Sequence, residues 1–553
     1  MLFRVKSGQR RYNTPKFRSS MPGIGLQILR AVFAAVIVCV VDAQSGAHLP
    51  VSHPQVDGAA LVRIQRSIQN GDLRKARSEI QDALQASPGD PRLYNFLGVI
   101  DAQERNVNAA AANFERAIKI APRFVGAYLN LGRLYQEESG KDPGLSEKAL
   151  EVYGKVSAID PDNVEARYQA AALLSGLEKF DASLRELARL PEPAQHQAAA
   201  LTVRCIDEAA LQHTDLAAAA AKELLALPDL TEADVLPIVP VLVKHHQAGL
   251  ATSLLQSLVG KQIVSVEILD QLAALYEEQG RFKDARETLT KELDLSGKPS
   301  ASLLTRLSKV AYKSGDLEGA LGYLAHARDL EPQNASIHFL FGLVCIELKL
   351  PPEAQESLRE AVRLDPQNPY YSYALGAVLL ERRNPDEAIH YFRTFSETRK
   401  GDPRGNFALG VAYFDAGQVE AARREFEAIA NRPETKAGAL LYLGRLALRN
   451  EDLAAAAGYL QGAIQANPAV AEPYVELAIV QIRRKDYKAA EQNLNCALRL
   501  SPDNYQANFN LLFLFKRTND PRAEEQSRRV GALQLAGEER ERMLLRTLDI
   551  HPY

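Results

Sequence analysis

Tryptophan is absent from this chain, and methionine and cysteine are scarce, at three and four residues in 553. So few sulfurs exclude a disulfide-built scaffold. If Cys39 is lost with a leader, Cys205, Cys345 and Cys496 remain, an odd number in widely separated segments. Each lies in an apolar helical pattern, which predicts buried free thiols. Histidine is thin too, at ten. The only adjacent pair, His245-His246, would point about 100° apart on a helix, so it makes a poor metal site. His213, His326, His338 and His390 stand singly, and there is no Walker loop, no Gly-x-Ser-x-Gly and no His-Glu-x-x-His. The expectation is therefore a protein without catalytic residues, metal or cofactor.

Acid is missing from the first 41 residues, and the first carboxylate is Asp42. Residues 1–43 carry seven Lys/Arg, a net of +6, which leaves −9 for the rest of a chain whose formal total is −3. A mildly acidic body with no basic block gives nucleic acid no electrostatic footprint. The basic start leads into an uncharged apolar run, Ala31–Val41, and then Val41-Asp42-Ala43. That is the pattern of a secretory signal peptide, and it predicts a mature amino terminus at Gln44 and export to the periplasm or exterior. Met21 as the true start would give a leader of ordinary length. The rival readings are an uncleaved anchor through residues 26–41 and, more weakly, a mitochondrial presequence. Eleven apolar residues span roughly 16 Å, well short of a bilayer core of about 30 Å. Val38 before Cys39 argues against lipidation.

What the chain has in quantity is alanine, leucine and evenly spaced proline. Pro332 and Pro366 are 34 apart, as are Pro468 and Pro502, and as are Pro88 and Pro122. Inside each period a Leu-Gly or Leu-Ala pair is followed by an aromatic and then by an alanine with an aromatic or leucine. Examples are Leu97-Gly98, Ala110 and Phe114; Leu131-Gly132, Tyr135, Ala149 and Tyr153; Leu375-Gly376, Ala388 and Phe392; Leu409-Gly410, Tyr413, Ala422 and Phe426; Leu443-Gly444, Ala456 and Leu460; and Leu477-Ala478, Ala490 and Leu494. The spacing puts one apolar stripe on each of two helices, with a small residue where they must approach closely. Asp-Pro, Asn-Pro or Ser-Pro then interrupts the second helix.

A period of 34 with these residues resembles the tetratricopeptide repeat (TPR) family. Nine repeats register, opening near Asp57, Pro91, Val125, Val266, Ala301, Ala335, Pro369, Pro403 and Ala437, and a tenth opens near Ala471. The resemblance implies an all-α fold, a right-handed α-solenoid of helix-turn-helix repeats with a C-terminal capping helix. The expected organisation is a signal peptide (1–43), a linker (44–56), N-terminal repeats (57–163), degenerate helical repeats (164–265), C-terminal repeats (266–520), and a capping helix and tail (521–553). Pro191, Pro193, Pro237 and Pro240 should bend the degenerate stretch and change the curvature there.

In the family, first helices line a concave face that holds partner peptides, so the resemblance implies a protein-binding scaffold. The positions opposite the core stripe predict a partner face of Arg306, Lys309, Tyr312, Lys313, Phe339, Tyr370, Tyr373, Phe407, Phe414, Tyr442, Arg445 and Arg449. It reads as an aromatic floor with basic groups at both ends, against the alternative that these rings are packing between repeats. Leu61 and Gln65 replace the basic clamp of chaperone-binding members, and Asn130 and Asn510 are isolated, so an asparagine ladder is not expected. The leading reading is a scaffold in envelope assembly, secretion or export with a protein or peptide partner. The alternatives are a self-associating structural array and an accessory subunit of a separate glycosyltransferase or polysaccharide-export machine. No nucleic acid is expected, and no membrane beyond the amino-terminal anchor reading.

Overall fold

A computed structural model describes residues 56–535. The signal peptide and the cleavage point at Gln44 lie outside the described residues, as does the tail beyond Leu535. Among the described residues the secondary structure is helical with no strand, and no helix is long and apolar enough to cross a membrane.

The helices come in antiparallel pairs, many of them begun by a short polar residue. Asp90, Asn368 and Asp402 accept a bond from the backbone two residues on, and proline fills the first helical position after each of them. The turn inside each described pair except Val125–Glu138 with Gly144–Ile159 carries a residue with positive φ just past the first helix. The next amide then reaches back five residues, as Asn106 N does to Asp101 O (2.8 Å) and Asn384 N to Leu379 O (2.8 Å). These left-handed residues fall at 71 and 105, then at 178, 212, 246 and 280, then at 315, 349, 383, 417, 451, 485 and 519. Every step within the runs is 34. The gap from 105 to 178 is two periods plus the five extra residues of the third turn. The step from 280 to 315 is one longer.

The backbone lattice therefore runs unbroken through 164–265, where the side-chain motif fades. His246 is one of these turn residues, and the helix before it ends at Lys244, so the histidine pair sits in a turn and not on a helix.

A second latch ties each pair to the one before. Tyr94 Oη donates to the Pro88 carbonyl (3.1 Å), Tyr128 to Pro122 (3.3 Å), Tyr474 to Pro468 (3.2 Å), and Asn508 Nδ2 to Pro502 (3.0 Å). A side chain six residues past each proline thus satisfies a carbonyl that the helix end leaves open.

The contacts divide the chain into two units, which meet in sequence at Arg281 and Phe282. The first holds the pairs Gly58–Gln69 with Leu73–Ala86, Pro91–Gln103 with Val107–Ile120, Val125–Glu138 with Gly144–Ile159, Val164–Gly176 with Phe180–Ala188, Ala198–Ala210 with Thr214–Leu225, and Ile238–Lys244 with Ala248–Gly260. Helix Val266–Glu278 closes it. The second opens with Phe282–Ser296 and continues with Ala301–Lys313 and Leu317–Leu330, Ala335–Glu347 and Pro351–Leu364, Pro369–Glu381 and Pro385–Thr398, Pro403–Asp415 and Val419–Ile429, Lys436–Arg449 and Leu453–Ala466, Glu472–Arg483 and Tyr487–Leu500, and Tyr505–Arg517 and Ala523–Leu535.

The small residue of the first helix faces a large one sixteen residues on in the second, and twenty-one on at Gly132, where the turn carries five extra residues. A methyl group added to Gly98, Gly132, Gly376 or Gly410 would lie 2.5, 2.6, 2.8 and 2.7 Å from the ring of Phe114, Tyr153, Phe392 and Phe426. Where the small residue is alanine, as at Ala171 and Ala478, the residue sixteen on is Leu187 or Leu494. Ring and methyl exclude each other within one packing volume.

Cys205 and Cys345 are buried, and burial pushes both thiols up to about 12. Cys496 departs from the expectation. It is only half-buried, with Arg499 Nη2 2.8 Å from its sulfur, because it lies on the outer flank of the second helix.

Candidate partner-binding face

From Ala335 onward each first helix of the second unit touches the next first helix, whereas no two successive second helices come as close. The same holds in the first unit for Pro91–Gln103, Val125–Glu138 and Val164–Gly176. First helices thus form the inner lane of each curve. The irregular stretch differs, since the second helices Thr214–Leu225 and Ala248–Gly260 do touch, which opens the curve locally.

The inner lane of the second unit carries the twelve expected residues. On Ala301–Lys313, Lys309 and Lys313 are exposed and Arg306 and Tyr312 half-buried. Phe339 is half-buried and its ring lies 4.7 Å from that of Tyr371 on the next first helix. Tyr370 is 40% exposed, with its ring 5.6 Å from the Arg399 guanidinium and 5.9 Å from that of Arg404. Arg404 is itself held by Asp402 (2.7 Å), and those bonds keep the Asp402 carboxyl below the usual carboxylate range.

Tyr373, three residues on, turns inward. It is buried against Phe392 (5.6 Å) and Phe395 (4.7 Å). Phe407, Phe414 and Tyr442 form one cluster with the core ring Phe426. Phe407 and Phe414 stand 5.9 and 5.4 Å from Tyr442, which stacks on Phe426 at 4.9 Å and 14°. Burial raises the Tyr442 phenol. Arg445 is bonded to Glu476 of the next first helix at 2.8 Å, whereas Arg449 is exposed at the end of its helix.

The expected aromatic floor is therefore largely a set of grips between neighbouring repeats. Tyr370, Lys309, Lys313 and Arg449 stand above it in solvent. The physical reason is that each first helix packs against its neighbours, which covers part of the outward stripe and leaves the rest open.

The lane of the first unit is polar instead. Asn130 is not isolated: its Nδ2 donates to Asn95 Oδ1 of the preceding repeat (3.0 Å). Gln136 accepts from Tyr153 Oη (2.9 Å) and donates to Gln169 (3.2 Å), and Arg133 pairs with Glu165 (3.1 Å). Asn510 donates only to its own helix, at Gln506 O (2.7 Å).

Two residues were missed. Phe509 and Phe513 on the last first helix are 47% and 43% exposed. The signal was available, because Phe509 lies 102 residues, three periods, after Phe407. Among the described residues no group of three or more His, Cys, Asp and Glu side chains is placed to hold a metal.

Comparison with known proteins agrees with this architecture. Two family models, both described as Tetratricopeptide repeat, match residues 144–204 and 311–378, and residues 63–123, 271–335, 373–436 and 407–471, together more than half of the chain. The Tetratricopeptide repeat domain-containing protein PYG7, chloroplastic, of Arabidopsis thaliana is 35% identical over 102 residues, 18% of this chain and 32% of that protein. Superkiller protein 3 of Schizosaccharomyces pombe is 26% identical over 97 residues, 18% of this chain and 7% of that one. The chain thus spans a third or less of the curated relatives it matches. Among solved structures, yeast Tom70 aligns over 88% of this chain and 98% of its own at 15% identity, with a TM-score of 0.31.

Proposed function

The chain belongs to the tetratricopeptide repeat family, and we propose that it is an exported scaffold whose second unit holds a partner protein or peptide along the inner lane of its first helices. The observation that carries this reading is the layering at Tyr370. An exposed ring lies 5.6 and 5.9 Å from two guanidinium groups and edge-on to the buried Phe395 ring, which packs against Tyr373. A rigid aromatic anchor loses little freedom on binding, and tyrosine and arginine are where interface energy concentrates. Exposed Lys309, Lys313 and Arg449 favour a partner segment with apolar and acidic residues. Envelope assembly, secretion or export is the setting that the amino-terminal leader pattern suggests.

The test is a pull-down from the native host with the chain from Gln44 as bait, beside a Tyr370→Ala, Arg449→Glu variant. One envelope protein should be retained by the first and lost with the second while both melt alike. Equal recovery of that protein by both baits would move the site off this lane.

A further inference from the structure

In the second unit, side chains on two successive first helices grip the first helix that follows. Phe407 packs on Tyr442 (5.9 Å), Phe414 on Tyr442 (5.4 Å), and Arg445 bonds Glu476 (2.8 Å). Counting forward in whole periods, Phe407 becomes Phe509 (three periods), Phe414 becomes Lys516 (three) and Arg445 becomes Phe513 (two). All three of these residues on Tyr505–Arg517 are exposed, the phenylalanines at 47% and 43%. Among the described residues no further first helix follows. The last described first helix thus repeats gripping positions with no described helix set against them.

We propose that a second copy of this chain covers these positions, pairing Tyr505–Arg517 antiparallel with its own counterpart. The stripe is self-complementary, as a two-fold interface requires. A two-fold through residue 511 exchanges Phe509 with Phe513 and Tyr505 with Arg517. Each phenylalanine then meets the other kind, and each guanidinium meets a phenol ring. Charge follows the same symmetry. Asp503, 83% exposed and 3.6 Å from Arg529, stands at one end of the helix, and Lys516 with Arg517, which also donates to Tyr487 Oη (3.1 Å), at the other, so antiparallel pairing sets a carboxylate near the cationic end of the partner helix twice. Tyr505 already stacks on Phe509 (6.0 Å), and Arg517 already lies over Phe513 (5.9 Å), so the face is pre-organised. A contact one thirteen-residue helix long, about 20 Å, belongs to the small interface class below about 1,200 Å², and the pairing is a micromolar equilibrium.

Sedimentation velocity of the chain from Gln44, over about 1 to about 200 µM, reads this directly. The wild type shifts from monomer toward dimer across that range. Phe509→Asp with Phe513→Asp stays monomeric throughout and keeps its melting curve, since neither side chain is core. In a Cys496→Ser background, a mixture of Phe509→Cys and Phe513→Cys chains oxidises to the mixed disulfide in preference to either homodimer. A chain that is monomeric at every concentration overturns the proposal, as does a dimer that survives both aspartates. A monomer that becomes a dimer only when shortened after Leu535 also overturns it, because the chain's own C-terminus would then be the occupant.

Discussion

Gly410 offers the sharpest test of how the pairs are held. An added methyl group would stand 2.7 Å from both Cε1 and Cζ of Phe426. The Phe426 ring is fully buried and stacked flat on Tyr442 at 4.9 Å, so it has nowhere to retreat. Overpacking of this kind costs about 1–3 kcal/mol, while the better helix propensity of alanine returns up to about 1 kcal/mol. Gly410→Ala should therefore lose about 1–2 kcal/mol, in contrast to Gly458→Ala, where nothing lies within 4 Å and the change should be neutral or stabilising. Phe426→Leu alone leaves a gap and costs about 1–2 kcal/mol. The double variant recreates the alanine–leucine pairing of Ala478 and Leu494, so its loss should fall about 1 kcal/mol short of the sum of the two singles. Because repeat arrays open locally, global melting blurs the effect. Hydrogen exchange of helices Pro403–Asp415 and Val419–Ile429 resolves it. Strictly additive losses, or a Gly410→Ala protein with slower exchange than wild type, would refute the packing argument.

Three further outcomes are expected. Tyr373→Ala removes a buried ring and should cost about 3–5 kcal/mol, whereas Tyr370→Ala should leave the melt nearly unchanged; a reversed order in differential scanning calorimetry would mean the lane faces the other way. Asp207 is fully buried, and burial pushes its carboxyl up to about 7, against the weaker opposing pull of the nearby Ser175 and Ser183 hydroxyls. With the folded value above the unfolded one, the stabilising proton is fully present below about pH 4 and is lost as pH rises through 7; amide protection in helix Ala198–Ala210, taken relative to the intrinsic base-catalysed rate, should fall from pH 5 to 8 by an amount equivalent to about 2–4 kcal/mol, and Asp207→Asn should flatten that dependence. Intact-mass analysis of the envelope fraction should find a chain beginning at Gln44, and a mass retaining residues 21–43 would favour the anchor.

The sequence by itself determined the pair architecture. The proline spacing, the Leu-Gly couples and the ring or leucine sixteen residues on are direct imprints of helix packing, because only small residues permit that approach. It did not reveal that the lattice continues through 164–265. The turn there is a backbone state that Glu178, Gln212 and His246 adopt at a cost of about 1–2 kcal/mol each, so no residue type marks it. Nor did it separate Tyr370 from Tyr373. Periodicity places both on the outward side of one helix, but the rings of Phe392 and Phe395 cover Tyr373 and leave Tyr370 open, and that packing belongs to the assembled stack. The same cause hid Phe509 and Phe513. They repeat a gripping pattern whose meaning changes at the last repeat, where the described chain supplies no helix to grip. Local spacing is written residue by residue, whereas exposure is a property of what the neighbours leave uncovered.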